Sequence, residues 1–173
     1  MELTIELLRQ REKAKQFKEL HHSGKLLILP NIWDSLGALL LESLEYPAIA
    51  TASASIAFTN GYDDGENIPF ELMLSLIKRI AASVHIPVTA DIESGYADDE
   101  IVLEKNIRQL LKTGIVGINL EDSDKKTKAL LPVEAQAQKI SFIRKMAAYF
   151  FIAGKVRHRY PNKNGGLPGA FRN

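Results

Sequence analysis

The order of elements along this chain predicts an α/β fold built from parallel βαβ units. Three observations carry that prediction. Short apolar runs alternate with amphipathic stretches of roughly ten to fifteen residues. Gly and Pro punctuate most of the boundaries between them. Two of the later apolar runs, Val88–Ile92 and Val116–Leu120, lead directly into carboxylates, as strands do when they emerge at a functional end.

Ile5, Leu8, Ala14, Phe17 and Leu20, set among many charges, predict an amphipathic helix that ends near Ser23-Gly24. A strand is expected at Leu26–Leu29, a loop at Asn31–Asp34, a helix at Ser35–Leu44 and a second strand at Pro47–Ala52. The small residues Thr51–Ala57 and the turn-rich Asn60–Glu66 predict a loop. Pro69 suits the first turn of a helix whose apolar face is Phe70, Met73, Leu74, Ile77 and Ile80. The third strand is the tract Pro87–Tyr96, where alternation would put Thr89, Asp91 and Glu93 on one face. Asp98 or Asp99 can cap a helix through Leu111 that Gly114 ends. A strand at Val116–Leu120, a helix from Pro132 to Ala147 and a fifth strand at Tyr149–Ile152 complete the series.

Parallel units of this kind close into a barrel or wind doubly. The polar residues of the third and fourth strands share one face (Thr89, Asp91, Glu93; Asn119, Glu121), which favours a partial (β/α)8 TIM-type barrel of about five parallel strands, with those side chains at its mouth. No Gly-x-Gly-x-x-Gly or phosphate-loop motif supports a nucleotide-binding alternative. Residues 1–153 read as the N-terminal part of such a barrel. Residues 154–173, with five Lys or Arg and no Asp or Glu around a Pro-Asn-Lys-Asn-Gly-Gly run, read as an irregular basic tail. A complete barrel usually takes about 250 residues, so the chain is expected to lack its later strands.

With 46% hydrophobic and 25% charged residues the composition is that of a globular domain with a sizeable core. A formal charge of +1 gives no pull toward nucleic acid or acidic membranes. No apolar run approaches the roughly 18 residues of a membrane span, and Met1–Glu6 lacks the start of a signal peptide, so the expected location is the cytoplasm. The absence of cysteine excludes disulfides, thiolate metal sites and a cysteine nucleophile or acid.

Asp64, Asp91, Glu93 and Glu121 all fall at strand ends or in loops on the same side. An all-oxygen cluster favours a hard cation, Mg²⁺ or Mn²⁺, able to hold a 2-oxo or enol carboxylate. The competing use of such acids is to cap helices or pair with Lys and Arg. Ser53 and Ser55 lie where backbone N–H groups can approach an anion, although helix capping is their commoner role. Trp33 walls a pocket or simply packs. His21 and His22 fit a helix C-terminus, and Lys125, Lys126 and Lys128 either reach over a strand end or form a solvated loop.

These residues assembled, the chain resembles the isocitrate lyase and phosphoenolpyruvate mutase superfamily. The matching tracts are Leu29–Asp34, Ala48–Ala54, Gly61–Glu66, Pro87–Tyr96 and Gly114–Ser123, in family order over about residues 20–152. The resemblance implies a Mg²⁺-dependent barrel enzyme acting on C–C or P–C bonds of small 2-oxo or 2-hydroxy carboxylates through a metal-stabilised enolate. It implies Asp91 as the inner-sphere metal ligand, with Glu93, Asp64 and Glu121 binding directly or through water, and catalytic roles for Asp64 and Glu121. Ser53 and Ala54 would hold the substrate and Trp33 would flank it. A homo-oligomer is expected, and the alternative is a non-catalytic half-barrel that assembles with another chain.

Three departures accompany the resemblance. The lyases' Lys-Arg-Cys-Gly-His loop is replaced by Asp124-Lys125-Lys126-Thr127-Lys128-Ala129, so the cysteine acid of isocitrate cleavage is absent. The family's Asn-Ala-Arg-Thr-Asp after the fifth strand is replaced by Ala153-Gly154-Lys155-Val156-Arg157, and strands six to eight are expected to be missing. Codons for Gly154–Tyr160 read one nucleotide later permit Ala-Arg-x-Asp-Thr-Asp, which points to a frameshift near Ala153.

Overall fold

The computed structural model describes residues 5–124, 127, 129–147 and 151–155, the last five as backbone only. Its elements run α1 (Ile5–His22), β1 (Asn31–Ile32), α2 (Ser35–Ser43), β2 (Ile49–Thr51), α3 (Ser53–Thr59), α4 (Phe70–Ser83), β3 (Val88–Asp91), α5 (Glu100–Leu111), β4 (Gly117–Glu121), α6 (Val133–Met146) and β5 (Phe151–Lys155). All four strand pairings are parallel, in the order β1-β2-β3-β4-β5. Spatial order that follows chain order without reversal is the winding of a barrel wall; a doubly wound sheet reverses at a switch point. The fold is an α/β partial barrel, as the sequence predicts.

One core fills the space between sheet and helices. Val88, Ala90, Ile118 and Leu120 of β3 and β4 meet Met73, Ile77 and Ile80 of α4, Leu103, Ile107 and Leu110 of α5, and Ile143 of α6. With these apolar residues turned toward the helices, strand alternation leaves Thr89, Asp91, Asn119 and Glu121 for the barrel interior. Helix ends follow local chemistry: the carboxylates of Asp34 and Asp99 accept the N–H groups of Gly37 and Val102 at 2.7 and 2.8 Å, and Gly114 takes a positive φ just past α5.

α1 closes the N-terminal end of the sheet. Its Ala14 and Phe17 bury against Ala48 and Val116, the residues just before β2 and β4. Gln10 Nε2 donates to the Leu111 and Ile115 carbonyls at 2.9 and 2.7 Å, and Lys13 Nζ donates to the Val84 carbonyl at 2.9 Å. Burial at this contact lowers the Lys13 pKa. Two side chains thus satisfy three carbonyls at or just beyond the ends of α4 and α5, where helical partners run out.

The first strand is displaced from its expected place. Leu26–Leu29 is not a strand; Leu26 is 89% exposed, and pairing begins at Asn31, opposite Ala50. The stretch Thr51–Ala57, expected to be a loop, forms the end of β2 and most of α3, because the run Ser-Ala-Ser-Ile-Ala contains no residue that stops a helix. β5 is described over Phe151–Lys155, past the boundary at Ala153, and Tyr149 and Phe150 of the expected strand lie outside the described residues. Residues 156–173 of the expected tail lie outside the described residues. Among the described residues no helix is long and apolar enough to cross a membrane.

Phe17→Ala should lower the unfolding free energy by about 3–5 kcal/mol, as expected for a fully buried phenyl ring. Urea denaturation of the variant against the parent measures it.

Candidate metal and carboxylate site

Asp91 is the last residue of β3 and Glu121 the last of β4, so both lie at the end of the sheet where strands give way to helices. They are 4% and 3% exposed, and Glu93 is 4% exposed. Burying three carboxylates side by side is costly, and the local hydrogen bonds show how the cost is offset. The Asp91 N–H donates to Thr51 Oγ1 on β2 at 3.0 Å, and Asp91 Oδ1 accepts the Glu93 N–H at 3.3 Å. The Tyr96 hydroxyl donates to Glu93 Oε1 and the Ser123 hydroxyl to Glu121 Oε2, both at 3.2 Å.

Glu93 reaches the site by a different route from the expected one. β3 ends at Asp91, and Glu93 stands in the turn beyond it with φ +50°, so strand alternation does not place its side chain. The turn does. Gly95 (φ +107°) and Tyr96 (φ +54°) are also left-handed, and the Gly95 N–H closes onto the Ile92 carbonyl at 2.9 Å. The backbone of the turn is then tied down from three elements. Glu66 Oε1, from the α3–α4 loop, accepts the N–H groups of Ser94 and Tyr96, each at 3.0 Å, and the Ser94 hydroxyl at 2.5 Å. Asn106 Nδ2 of α5 donates to the Gly95 and Tyr96 carbonyls at 3.2 and 2.8 Å, and Lys139 Nζ of α6 to the Ser94 carbonyl at 2.8 Å. The Glu121 N–H joins the two carboxylate-bearing segments by donating to the Glu93 carbonyl at 2.7 Å.

Burial pushes the Glu93 carboxyl up to about 7; the negative charges of Asp64 and Glu66 push the same way, against hydrogen bonds from the Glu66 backbone N–H and the Tyr96 hydroxyl. The Tyr96 hydroxyl is itself raised, by burial and by the carboxylates around it. Asp64 is therefore close enough to be felt at Glu93, and the structure gathers Asp64, Asp91, Glu93 and Glu121 in one region. Among the described residues no three acidic or histidine side chains converge closely enough to enclose an ion unaided. An oxygen-only donor set fits a hard cation that keeps part of its water shell, Mg²⁺ before Ca²⁺.

Ser53 is buried at the start of α3, directly after β2, with Ala54 beside it. α3 is capped by Ala52 with no side-chain hydrogen bond, so neither Ser53 nor Ser55 serves as the cap. Trp33 follows β1 and is 45% exposed. His21 and His22 turn their Nδ1 atoms to the Phe17 and Lys18 carbonyls of α1, away from the site, while Lys125, Lys126 and Lys128 lie outside the described residues. A cleft of 480 Å³ shares Ser94 and Ser123 with the site but none of the carboxylates; Leu103, Leu131 and Lys139 also line it. Sequence reasoning missed Thr51, Glu66, Tyr96, Asn106, Ser123 and Lys139. Thr51, Glu66, Tyr96 and Ser123 did fall within the family-like tracts, whereas Asn106 and Lys139 left no signal.

A partial parallel barrel with acids at the strand ends defines a class of barrel enzymes with a carboxylate-rich mouth. The particular family follows from comparison: residues 17–157 match the profile described as phosphoenolpyruvate phosphomutase, and the chain belongs to that family. An uncharacterized protein of Mycobacterium tuberculosis is 31% identical over 140 residues, covering 81% of this chain and 52% of its own length. The 2-methylisocitrate lyase of Bacillus subtilis is 24% identical over 157 residues, covering 87% and 52%. Among solved structures, a candidate phosphonomutase from Burkholderia cenocepacia J2315 has a TM-score of 0.80 at 36% identity, covering 84% of this chain and 61% of the other. Phosphonopyruvate hydrolase, solved with oxalate and Mg²⁺, shares the fold with a TM-score of 0.77 at 23% identity, covering 83% and 52%. The chain spans about half the length of the curated relatives it matches.

In metal-free protein the raised Glu93 carboxyl makes folding stability fall as pH rises from about 4.5 to about 7, because over that window the folded state holds a proton the unfolded state has released. Glu93→Gln should flatten this part of the stability–pH curve, as read by denaturation at pH 4, 5.5 and 8.

Proposed function

We propose that the chain carries the metal- and carboxylate-binding part of a Mg²⁺-dependent (or Mn²⁺-dependent) enzyme of lyase or mutase type, acting on C–C or P–C bonds of small 2-oxo or 2-hydroxy carboxylates. The observation that carries this reading is the set of buried carboxylates Asp91, Glu93 and Glu121 at the ends of adjacent parallel strands, with Asp64 beside them. Family membership and the crystallised complex of phosphonopyruvate hydrolase with oxalate and Mg²⁺ agree with it.

In this reading Asp91 holds the cation directly, and Glu93, Asp64 and Glu121 bind its water shell. The ion would supply positive charge where negative charge grows on substrate oxygens. Asp64 and Glu121 move protons or orient water next to the reacting carbon. Ser53 and Ala54 present the start of α3 to the substrate carboxylate, and Trp33 flanks the pocket. With no cysteine to act as acid, mutase, hydrolase or decarboxylase chemistry is favoured over isocitrate cleavage.

One observation favours the second reading, a non-catalytic half-barrel that assembles with another chain. Leu36, Leu40 and Leu44 form a stripe along α2 that is 75%, 58% and 61% exposed, next to the β1 edge of the sheet. Mg²⁺-dependent turnover of a 2-oxo acid supports the first reading; a stable dimer in sedimentation, without turnover and indifferent to Mg²⁺, supports the second.

Asp91→Asn should weaken Mg²⁺ binding by at least about tenfold in calorimetry, roughly 1.4 kcal/mol. The parent's affinity should rise between pH 5 and pH 8 as Glu93 ionises. Equal affinity in parent and variant overturns the assignment of Asp91.

A further inference from the structure

Glu66 ties together two loops that each carry a site acid. Asp64 stands two residues before it in the α3–α4 loop, and Glu93 one residue before the Ser94 that it grips. Its single oxygen Oε1 takes three donors from the turn after β3, while its own backbone N–H donates back to the Glu93 carboxylate. The exchange is reciprocal, as in a helix capping box, but it spans two separate segments of chain. Glu66 (φ +61°), Glu93 (φ +50°) and Tyr96 (φ +54°) all occupy the left-handed region that non-glycine residues avoid. Such backbone persists only where its surroundings over-determine it, and it concentrates where a side chain must be aimed. A loop that needed only to close had no reason to hold Glu93 in that conformation.

We propose that Glu66 is a positioning residue, a latch whose carboxylate fixes the Asp64 loop against the turn after β3 and so sets where Asp64 and Glu93 stand. The proposal rests on the reading of those two acids as a cation site. Reach of the acceptor, more than its charge, is what the geometry uses, since all three donors converge on one oxygen. Glutamine keeps that oxygen at the same distance from the backbone. Aspartate keeps the charge and suits a left-handed backbone better than glutamate, but it is one methylene too short.

The test compares Glu66→Gln, Glu66→Asp and Glu66→Ala in the full chain, by amide exchange without metal and by Mg²⁺ calorimetry. Exchange at residues 61–67 and 92–98 should rise together in the Asp and Ala variants and stay near the parent in Gln. Mg²⁺ affinity should fall about 10–100-fold in Asp and Ala, the usual consequence of losing a group that orients metal ligands, and much less in Gln. Unchanged exchange at 92–98 in the Ala variant overturns the latch, as does a Gln variant that behaves like Ala or an Asp variant that behaves like the parent. A parent that binds no Mg²⁺ overturns the site reading instead, and the exchange result then decides the latch by itself.

Discussion

Three carboxylates held out of water at the ends of two adjacent strands set the requirements that the surrounding structure meets. An ionised carboxylate in a dry interior is tolerated only with hydrogen bonds or opposite charge beside it. The Asp91 carboxylate accepts the Glu93 N–H, the turn after β3 supplies the Tyr96 hydroxyl to Glu93, and the segment after β4 supplies the Ser123 hydroxyl to Glu121. These donors are neutral groups, which bond a carboxylate without cancelling its charge. Burial, reinforced by the charges of Asp64 and Glu66, raises the Glu93 carboxyl.

The turn between β3 and α5 shows what keeps such a site in shape. Each backbone group from the Ser94 N–H to the Tyr96 carbonyl has a named partner: Glu66 takes the two outer N–H groups, Ile92 takes the middle one, Lys139 bonds the first carbonyl and Asn106 the other two. Gly95 admits no side chain there, because an added Cβ would meet Leu103 Cδ1 at 2.9 Å and φ is already +107°. Full satisfaction of a buried turn is what allows it to hold unfavourable dihedrals.

The large features of this fold were legible because they are periodic. The apolar face of α4, the capped span of α5 and the strand at Val88 to Asp91 follow from residue spacing and end signals. Features set by tertiary contact were not legible. Leu26 and Ile28 look like strand residues, yet the strand is the two-residue Asn31–Ile32, chosen by its pairing with Ala50 and Thr51. α3 hides in a run of small residues that offers no period to read. Asp91 was placed correctly on its strand. Glu93 was placed in the right region by a wrong argument, since period-two alternation fails once the backbone turns left-handed. Asn106 and Lys139 read as ordinary helix polar residues; their role is visible only once α5 and α6 are seen to face the turn.

The same barrel logic explains why the apolar surface is distributed unevenly. In a parallel wall each helix is covered by its neighbours on both sides, so α4 and α5, in the middle of this series, bury Met73, Ile77, Ile80, Leu103, Ile107 and Leu110. α2 stands at the end of the series and has a neighbour on one side only. It buries Ala38 and leaves Leu36, Leu39, Leu40 and Leu44 exposed. The leucines are therefore not a failure of patterning within α2. They lie on the flank of α2 beside β1, the edge strand among the described residues. The acids lie away from this flank: Asp91 and Glu121 end β3 and β4, and the turn that carries Glu93 is held by Glu66, by Asn106 of α5 and by Lys139 of α6.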